Sequence, residues 1–145
     1  MHDHALNVFE TLCRGYRFSE LAFFMSRIPE LLVLRKAKEL CVAVNEIAAS
    51  LPVSEQAVFS VQARRAALST PSNISEGRSG STKTYIRYLT IAMGSNAELH
   101  TQLELARELG WGDARKITGA LKLSDEVGKM LNGLISALRR RLPNP

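Results

Sequence analysis

Residues 82–109, TKTYIRYLTIAMGSNAELHTQLELAREL, decide the fold, because their apolar side chains recur at steps of three and four. This spacing gathers the apolar side chains on one face of an α-helix. Gly94 and Ser95 lie mid-helix, where glycine costs about 1 kcal/mol relative to alanine, so we expect a close helix crossing that offsets this cost. The predicted apolar face consists of Tyr85, Ile86, Leu89, Ala92, Met93, Leu99, Leu103 and Ala106.

Two helices are expected before this segment. The first extends from about residue 32 to residue 50, and Pro52 ends it. The second begins near Ser54 as N-cap and ends at Gly77, a common C-cap residue. Pro71 lies inside the second helix, so we expect a kink, or a restart with Ser72 as a new cap. The apolar residues are Leu34, Ala37, Leu40, Cys41, Val44, Ile47 and Leu51 in the first helix, and Val58, Phe59, Val61, Ala66 and Leu68 in the second.

A fourth helix is expected after the turn Gly110-Trp111-Gly112, with Asp113 as its N-cap and Pro143 beyond its end. Strand-like alternation is absent from the sequence, so the pattern predicts an all-α fold. Four helices with short connections favour an up-down-up-down four-helix bundle, here with a kinked second helix and an N-terminal extension. The apolar residues of the fourth helix are Ile117, Leu121, Val127, Leu131, Leu134, Ile135, Leu138 and Leu142.

The bundle domain is expected over residues 31–142, with residues 1–30 as an extension. Two interpretations of the extension stay open: a docking helix, or residues that precede a native start at Met25. The chain has 145 residues, 46% hydrophobic and 23% charged, which suits one globular domain. It has no apolar run of roughly 20 residues that would span a membrane, and its two cysteines form no C-x-x-C pair. These features predict a cytoplasmic protein without a membrane partner.

Residues suited to catalysis are scarce. Of the three histidines, two lie within the first four residues, and His100 is the only one in a predicted helix. A di-iron bundle would need a Glu-x-x-His motif on each of two helices, and neither is present. We therefore expect no catalytic residues, no metal site and no cofactor, and we predict that the protein is not an enzyme.

Basic side chains are the main candidates for a binding surface, because the net charge is +5. Phosphate contacts require clustered cations, and Tyr85 or Tyr88 could stack on a base. An ordinary solvated face is the alternative interpretation. The candidates are Arg64, Arg65, Arg78, Lys83 and Arg87, with a second cluster made of Arg115, Lys116 and the triple arginine 139–141.

Polar side chains also recur at helical spacing on the second and third helices. If these two stripes face each other, they form a hydrogen-bonded network near the loop that joins the helices. The network is interpreted as structural, with a solvated face or a functional site as alternatives. Its predicted members are Gln62, Ser69, Asn73 and Glu76 on the second helix, and Ser95, Glu98 and Gln102 on the third.

Three stretches resemble the bacterial four helix bundle protein family, which includes proteins encoded by intervening sequences in 23S ribosomal RNA genes. They are residues 32–40, with Arg35-Lys36-Ala37 and Glu39-Leu40; residues 62–77, QARRAALSTPSNISEG; and residues 86–103, IRYLTIAMGS followed by Glu98-Leu99 and Gln102-Leu103. The resemblance covers about residues 31–140. It implies a ring-like homopentamer, and in relatives from diversity-generating retroelements it implies binding to nucleic acid and a reverse transcriptase.

The chain departs from this family in a few positions. Leu34 stands where the family usually has tryptophan, and His100 where an acidic residue is common.

The basic side chains and the resemblance together give two hypotheses for the function. The first is an RNA-binding or other nucleic-acid-binding homo-oligomer, and the second is an oligomeric scaffold for a protein partner such as a reverse transcriptase. Binding that weakens steeply with salt would distinguish the first from the second.

Overall fold

A computed structural model describes residues 18–143; the side chains of residues 18–26, 55, 56 and 58 are outside that description. Within this range the chain forms four helices: α1 (Phe18–Ala49), α2 (Val53–Gly77), α3 (Thr82–Glu108) and α4 (Ala114–Arg139). Each helix packs on its neighbour in the chain, and α1 packs on α4, so the four helices close an up-down-up-down bundle. The all-α four-helix bundle predicted from the sequence is confirmed.

The first helix is longer than expected. It begins at Phe18, not near residue 32, and continues through Pro29. Pro29 is exposed, and a proline inside a helix removes one backbone hydrogen bond without necessarily ending it. Residues 1–17 lie outside the described residues, so both interpretations of the N-terminal extension stay predictions.

The second helix begins at Val53, and its N-cap residue is Pro52, which makes no side-chain capping bond. The expected cap at Ser54 is therefore wrong: the missing N–H of a proline is no loss at a helix start, where N–H groups lack helical partners. The helix also continues through Pro71, and Ser72 does not recap it. The Ser72 hydroxyl instead donates 2.8 Å back to the carbonyl of Leu68.

The core lies between all four helices, but α2 buries a different face from the one its large apolar residues suggest. Val61 and Leu68 are 63% and 61% exposed. Each lies two residues beyond a buried position, Phe59 or Ala66, and two residues correspond to about 200° around a helix. Small side chains therefore provide most of the α2 core face: Ala63, Ala66, Ala67 and Thr70, with Phe59 and Ile74 as the large ones.

The α3 helix approaches α2 closely at Gly77 and not at Gly94. A Cβ atom on Gly77 would lie 2.6 Å from the Cβ of Tyr88 and 2.9 Å from Cδ2 of Tyr85, whereas a Cβ on Gly94 would meet nothing within 4 Å. The close crossing expected at Gly94 is thus wrong, because that residue lies on the exposed side of α3. Gly110 and Gly112 adopt φ of 69° and 72°, which confirms the turn before α4.

Candidate nucleic-acid interface

Basic side chains from four parts of the chain meet at one end of the bundle. Because α3 and α4 are antiparallel neighbours, the start of α3 and the end of α4 lie at the same end as the loop of residues 78–81. Glu30 of α1 reaches Arg78, so this part of α1 lies there too. The acidic side chains described at this end are Glu30 and Glu76. We call it the basic end, and define it by Arg27, Arg78, Lys83, Arg87, Arg139, Arg140 and Arg141.

The α3 side of the basic end is held by a regular helix start. Ser81 caps α3, and its Oγ accepts a 3.2 Å hydrogen bond from the backbone N–H of Thr84. Lys83 and Arg87 follow within the first two turns, and both side chains are exposed. These two cations therefore project into solvent from a fixed backbone.

The other predicted cations lie elsewhere. Arg64 and Arg65 are exposed midway along α2, on the same outward face as Val61 and Leu68. Arg115 and Lys116 lie in the first turn of α4, at the opposite end from the triple arginine. At 1.5 Å per residue, roughly 36 Å of continuous helix separates residue 115 from residue 139, so the expected second cluster does not form.

Asp113 caps α4 as predicted. Its Oδ1 accepts hydrogen bonds from the backbone N–H groups of Arg115 (2.8 Å) and Lys116 (3.1 Å). These two amides, that of Lys116 first, hold the pKa of the Asp113 carboxyl below its ordinary value. The Asp113 carboxylate thus lies next to the two cations at this end of the bundle. This end is therefore less basic than the end that carries the triple arginine.

Tyr85 and Tyr88 differ in how accessible their rings are for stacking on a nucleobase. Tyr85 is 6% exposed and packs in the core, so it presents no free face for stacking. Tyr88 is half-buried, and its hydroxyl donates to Oε1 of Glu76 over 3.1 Å. Of the two predicted stacking residues, only Tyr88 is accessible.

The predicted polar network forms in separate pieces. The hydroxyls of Ser69 and Ser95 lie 2.8 Å apart, which bridges α2 and α3, and Asn73 Nδ2 donates to Ser69 Oγ over 3.1 Å. Gln102 Nε2 donates to Glu98 Oε1 over 3.1 Å within α3. Glu76 instead accepts from a tyrosine, and Gln62 lies exposed. The bridge joins two helices at one level and is a structural feature.

A second polar cluster was not predicted from the sequence. Asn96 Nδ2 donates to the backbone carbonyl of Ser124 over 2.9 Å, and Ser124 Oγ donates back to Asn96 Oδ1 over 3.3 Å. His100 joins it, with Nδ1 at 3.2 Å from Ser124 Oγ and Nε2 at 3.8 Å from a carboxylate oxygen of Glu104. The visible signal was that Asn96 and Ser124 interrupt the apolar stripes of their helices.

This cluster lines an open groove of about 410 Å³ between α3 and α4. Gly128 permits the close approach, since a Cβ there would lie 3.3 Å from Asn96 Nδ2. The serine, histidine and carboxylate are ordered like a hydrolase triad, but Ser124 is completely buried and its hydroxyl cannot reach a substrate. The arrangement therefore joins two helices and provides no accessible nucleophile.

The described part of the chain contains neither a cluster of metal ligands nor a membrane-spanning helix. Among the side chains that the structure describes, no three of His, Cys, Asp or Glu lie close enough together to hold a metal ion. None of the four helices contains a stretch long and apolar enough to cross a membrane.

Comparisons with known proteins agree with the architecture. A family model for the 23S rRNA-intervening sequence protein matches residues 29–133. A crystal structure from Bacteroides thetaiotaomicron, of a protein of unknown function from the S23 ribosomal protein family, superposes with a TM-score of 0.68. The two sequences are 26% identical, and the alignment covers 75% of this chain and 99% of that one. No curated protein matches the sequence.

Proposed function

The chain belongs to the 23S rRNA-intervening sequence protein family, and from this premise we propose that it is a non-catalytic RNA-binding protein that acts through the basic end of its bundle. It would do so in the cytoplasm, as a homo-oligomer, and without a cofactor. The observation that carries the proposal is the convergence of cations from α1, the α2–α3 loop, the start of α3 and the end of α4.

Convergence matters because RNA phosphates lie several ångströms apart, and a patch of cations meets more of them than a single helix face does. Each phosphate neutralised by Lys or Arg releases condensed counterions, so affinity falls as salt rises. Tyr88 provides a partly exposed ring beside Gly77 in the same region. Stacking on such a ring tolerates any base, which fits recognition of RNA shape more than of sequence.

The test compares two double charge reversals that change the net charge equally. Lys83→Glu/Arg140→Glu alters the basic end, and Arg115→Glu/Lys116→Glu alters the opposite end. Binding to a ribosomal RNA fragment and to an unrelated hairpin is measured by electrophoretic shift across a salt series. We expect salt-steep binding that the first variant abolishes and the second largely retains.

A third variant, Arg64→Glu/Arg65→Glu, shows whether the α2 face also contacts RNA. A partial loss of affinity would extend the interface along α2. Equal losses in the Lys83→Glu/Arg140→Glu and Arg115→Glu/Lys116→Glu variants would contradict the proposal, because they would indicate a general charge effect and no defined surface. Binding that is absent at low salt, or insensitive to salt, would contradict it as well.

The second candidate function is an oligomeric scaffold for a protein partner. It is supported by Val42, Val61 and Leu68, which are 59%, 63% and 61% exposed on the outward faces of α1 and α2. Exposed apolar side chains on neighbouring helices are typical of protein contacts. The resemblance to the four helix bundle family makes a homopentamer the expected assembly and a reverse transcriptase the expected partner.

This candidate is tested by sedimentation velocity on the wild type and on Leu68→Glu, with Leu105→Glu as the matched control on exposed α3 surface. We expect a concentration-dependent oligomer that Leu68→Glu dissociates and Leu105→Glu does not. A wild type that stays monomeric at all concentrations would exclude the homo-oligomer. Co-purification with a purified retroelement reverse transcriptase tests the partner separately.

A further inference from the structure

Four side chains at the basic end form a cluster with an acidic centre. Glu30 Oε2 lies 3.8 Å from Arg27 Nε on the same helix and 3.7 Å from Arg78 Nε after α2. The side chain of Glu30 is only 14% exposed. Tyr85, from the first turn of α3, lies within electrostatic range of all three charged groups. One carboxylate thus lies between two guanidinium groups, with a phenol within electrostatic range.

The carboxylate neutralises this cluster but makes no hydrogen bond to two of its donors, Arg78 Nε and the Tyr85 hydroxyl. An N–H···O hydrogen bond spans about 2.7–3.2 Å, and both contacts of Glu30 are longer. Arg78 Nε and the Tyr85 hydroxyl are both buried and have no hydrogen-bond partner. Buried donors normally have partners, so two such donors near one anion are a departure that a bound anion with more acceptor oxygens would resolve.

The Tyr85 hydroxyl is a donor under any physiological condition. Burial, and then the nearby charge of Glu30, raise the pKa of Tyr85 to about 12. The phenol therefore keeps its proton and can donate to an anionic oxygen. A carboxylate has two oxygens in one plane, whereas a phosphate offers several in a tetrahedral arrangement. A phosphate can therefore accept from donors that approach from different helices.

We infer that Arg27, Arg78 and Tyr85 form a phosphate subsite that the Glu30 carboxylate occupies until an RNA phosphate displaces it. The inference rests on the proposed function, because it assigns one phosphate of the bound RNA to this part of the basic end. Displacement moves Glu30 toward solvent and uncovers the Tyr85 hydroxyl. Glu30 thereby acts as an internal competitor that lowers the affinity of the free protein for RNA.

The first test uses Glu30→Gln, with Glu39→Gln as the matched control. Glu39 is on the same helix, is also paired with basic side chains, and lies away from the basic end, so both variants gain the same charge. Affinity for a hairpin RNA is measured at fixed low salt. We expect Glu30→Gln to bind at least threefold more tightly than Glu39→Gln.

The second test adds Tyr85→Phe in the Glu30→Gln background, and we expect it to remove most of the gain in affinity. Thermal unfolding separates binding from folding: because the Tyr85 hydroxyl has no partner to lose, Tyr85→Phe should not lower the melting temperature. A third measurement follows the Arg78 Nε–H resonance of Glu30→Gln by NMR during titration with inorganic phosphate. We expect this resonance to shift.

Several outcomes overturn the inference. Equal affinities of Glu30→Gln and Glu39→Gln would mean that Glu30 does not compete with RNA. Weaker binding by Glu30→Gln would mean that Glu30 positions the arginines. If no variant binds RNA, the proposed function fails, and the subsite is then decided by inorganic phosphate alone: an unshifted Arg78 resonance would overturn it too.

Discussion

At the scale of single residues, the glycines of α2 and α3 have opposite roles. Gly77 is buried where α3 packs closely on α2, and the atoms that a Cβ would meet belong to the near ends of the Tyr85 and Tyr88 side chains. Such atoms cannot swing away as a side-chain tip can. Gly94 is exposed and has open space around it. Both residues are glycines inside helices, and they differ only in the side chains that the folded bundle places next to them.

Alanine at each position should therefore change stability in opposite directions. Gly77→Ala is expected to lower the free energy of unfolding by about 1–3 kcal/mol through overpacking. Gly94→Ala is expected to raise it by about 0.5–1 kcal/mol through helix propensity. Urea unfolding of both variants measures this. The same sign for both would show that the helices move apart at Gly77 at little cost.

The cap at Asp113 predicts a dependence of stability on pH. The pKa of Asp113 is lower in the folded protein than in the unfolded chain. Its contribution to stability is therefore complete above the unfolded pKa of about 3.9, and it is lost as the pH falls through the folded pKa. Asp113→Asn keeps an acceptor oxygen but does not titrate. Unfolding measured from pH 6 to pH 3 should show the wild type losing its advantage over Asp113→Asn below about pH 4. Parallel curves would contradict this.

At the scale of elements, buried polar pairs determine how neighbouring helices align. The hydroxyl contact between Ser69 and Ser95 joins α2 to α3, and the reciprocal pair of Asn96 and Ser124 joins α3 to α4. An apolar seam tolerates sliding by one helical turn, since leucine packs against leucine in either register. A buried amide does not, because sliding would leave it without a partner.

The Asn96 amide should contribute measurably to stability. Asn96→Ala removes a 2.9 Å hydrogen bond to the Ser124 carbonyl in the core and leaves His100 Nδ1 as the remaining side-chain partner of the Ser124 hydroxyl. The expected loss is about 1–3 kcal/mol in the free energy of unfolding. Asn132→Ala, an exposed asparagine of the same groove, is the control and should change stability by less than about 0.5 kcal/mol. Similar losses in both variants would contradict the assignment.

At the scale of the whole molecule, the order of the helices determines where the charge lies. The triple arginine ends α4, and the antiparallel arrangement brings it beside the start of α3 and away from Arg115 and Lys116. The field of the bundle is therefore asymmetric along its axis, with its positive end at the α2–α3 loop. An anionic partner would approach that end first.

The salt dependence of RNA binding measures this asymmetry. Replacing residues 139–141 by glutamine should reduce the slope of log affinity against log salt by about 2–3, since each phosphate contact contributes roughly 0.7–0.9. Arg115→Gln/Lys116→Gln should leave the slope unchanged. A salt series in a binding titration measures both, and an unchanged slope in the first variant would remove the triple arginine from the interface.

The local sequence pattern was sufficient to predict those helices, caps and turns that depend on residues only a few positions apart. The apolar stripes of α3 and α4, the cap at Asp113 and the double-glycine turn follow from steric and hydrogen-bonding rules that act over one or two helical turns. The start of α1 and the passage of α2 through Pro71 were not predictable in this way. A proline signals only a possible break, and packing along the whole helix decides whether the break occurs.

The candidate site depended far more on tertiary structure. Every cation of the basic end is visible in the sequence. The sequence pattern nevertheless grouped Arg115 with the triple arginine, because both lie on the fourth helix, and it assigned Glu30 to no site. Contacts between residues such as Glu30 and Arg78, or Asn96 and Ser124, join positions far apart in the chain. Helical periodicity specifies which way a side chain faces, whereas the side chain it meets depends on how the helices align, and that alignment is decided by packing of the complete bundle.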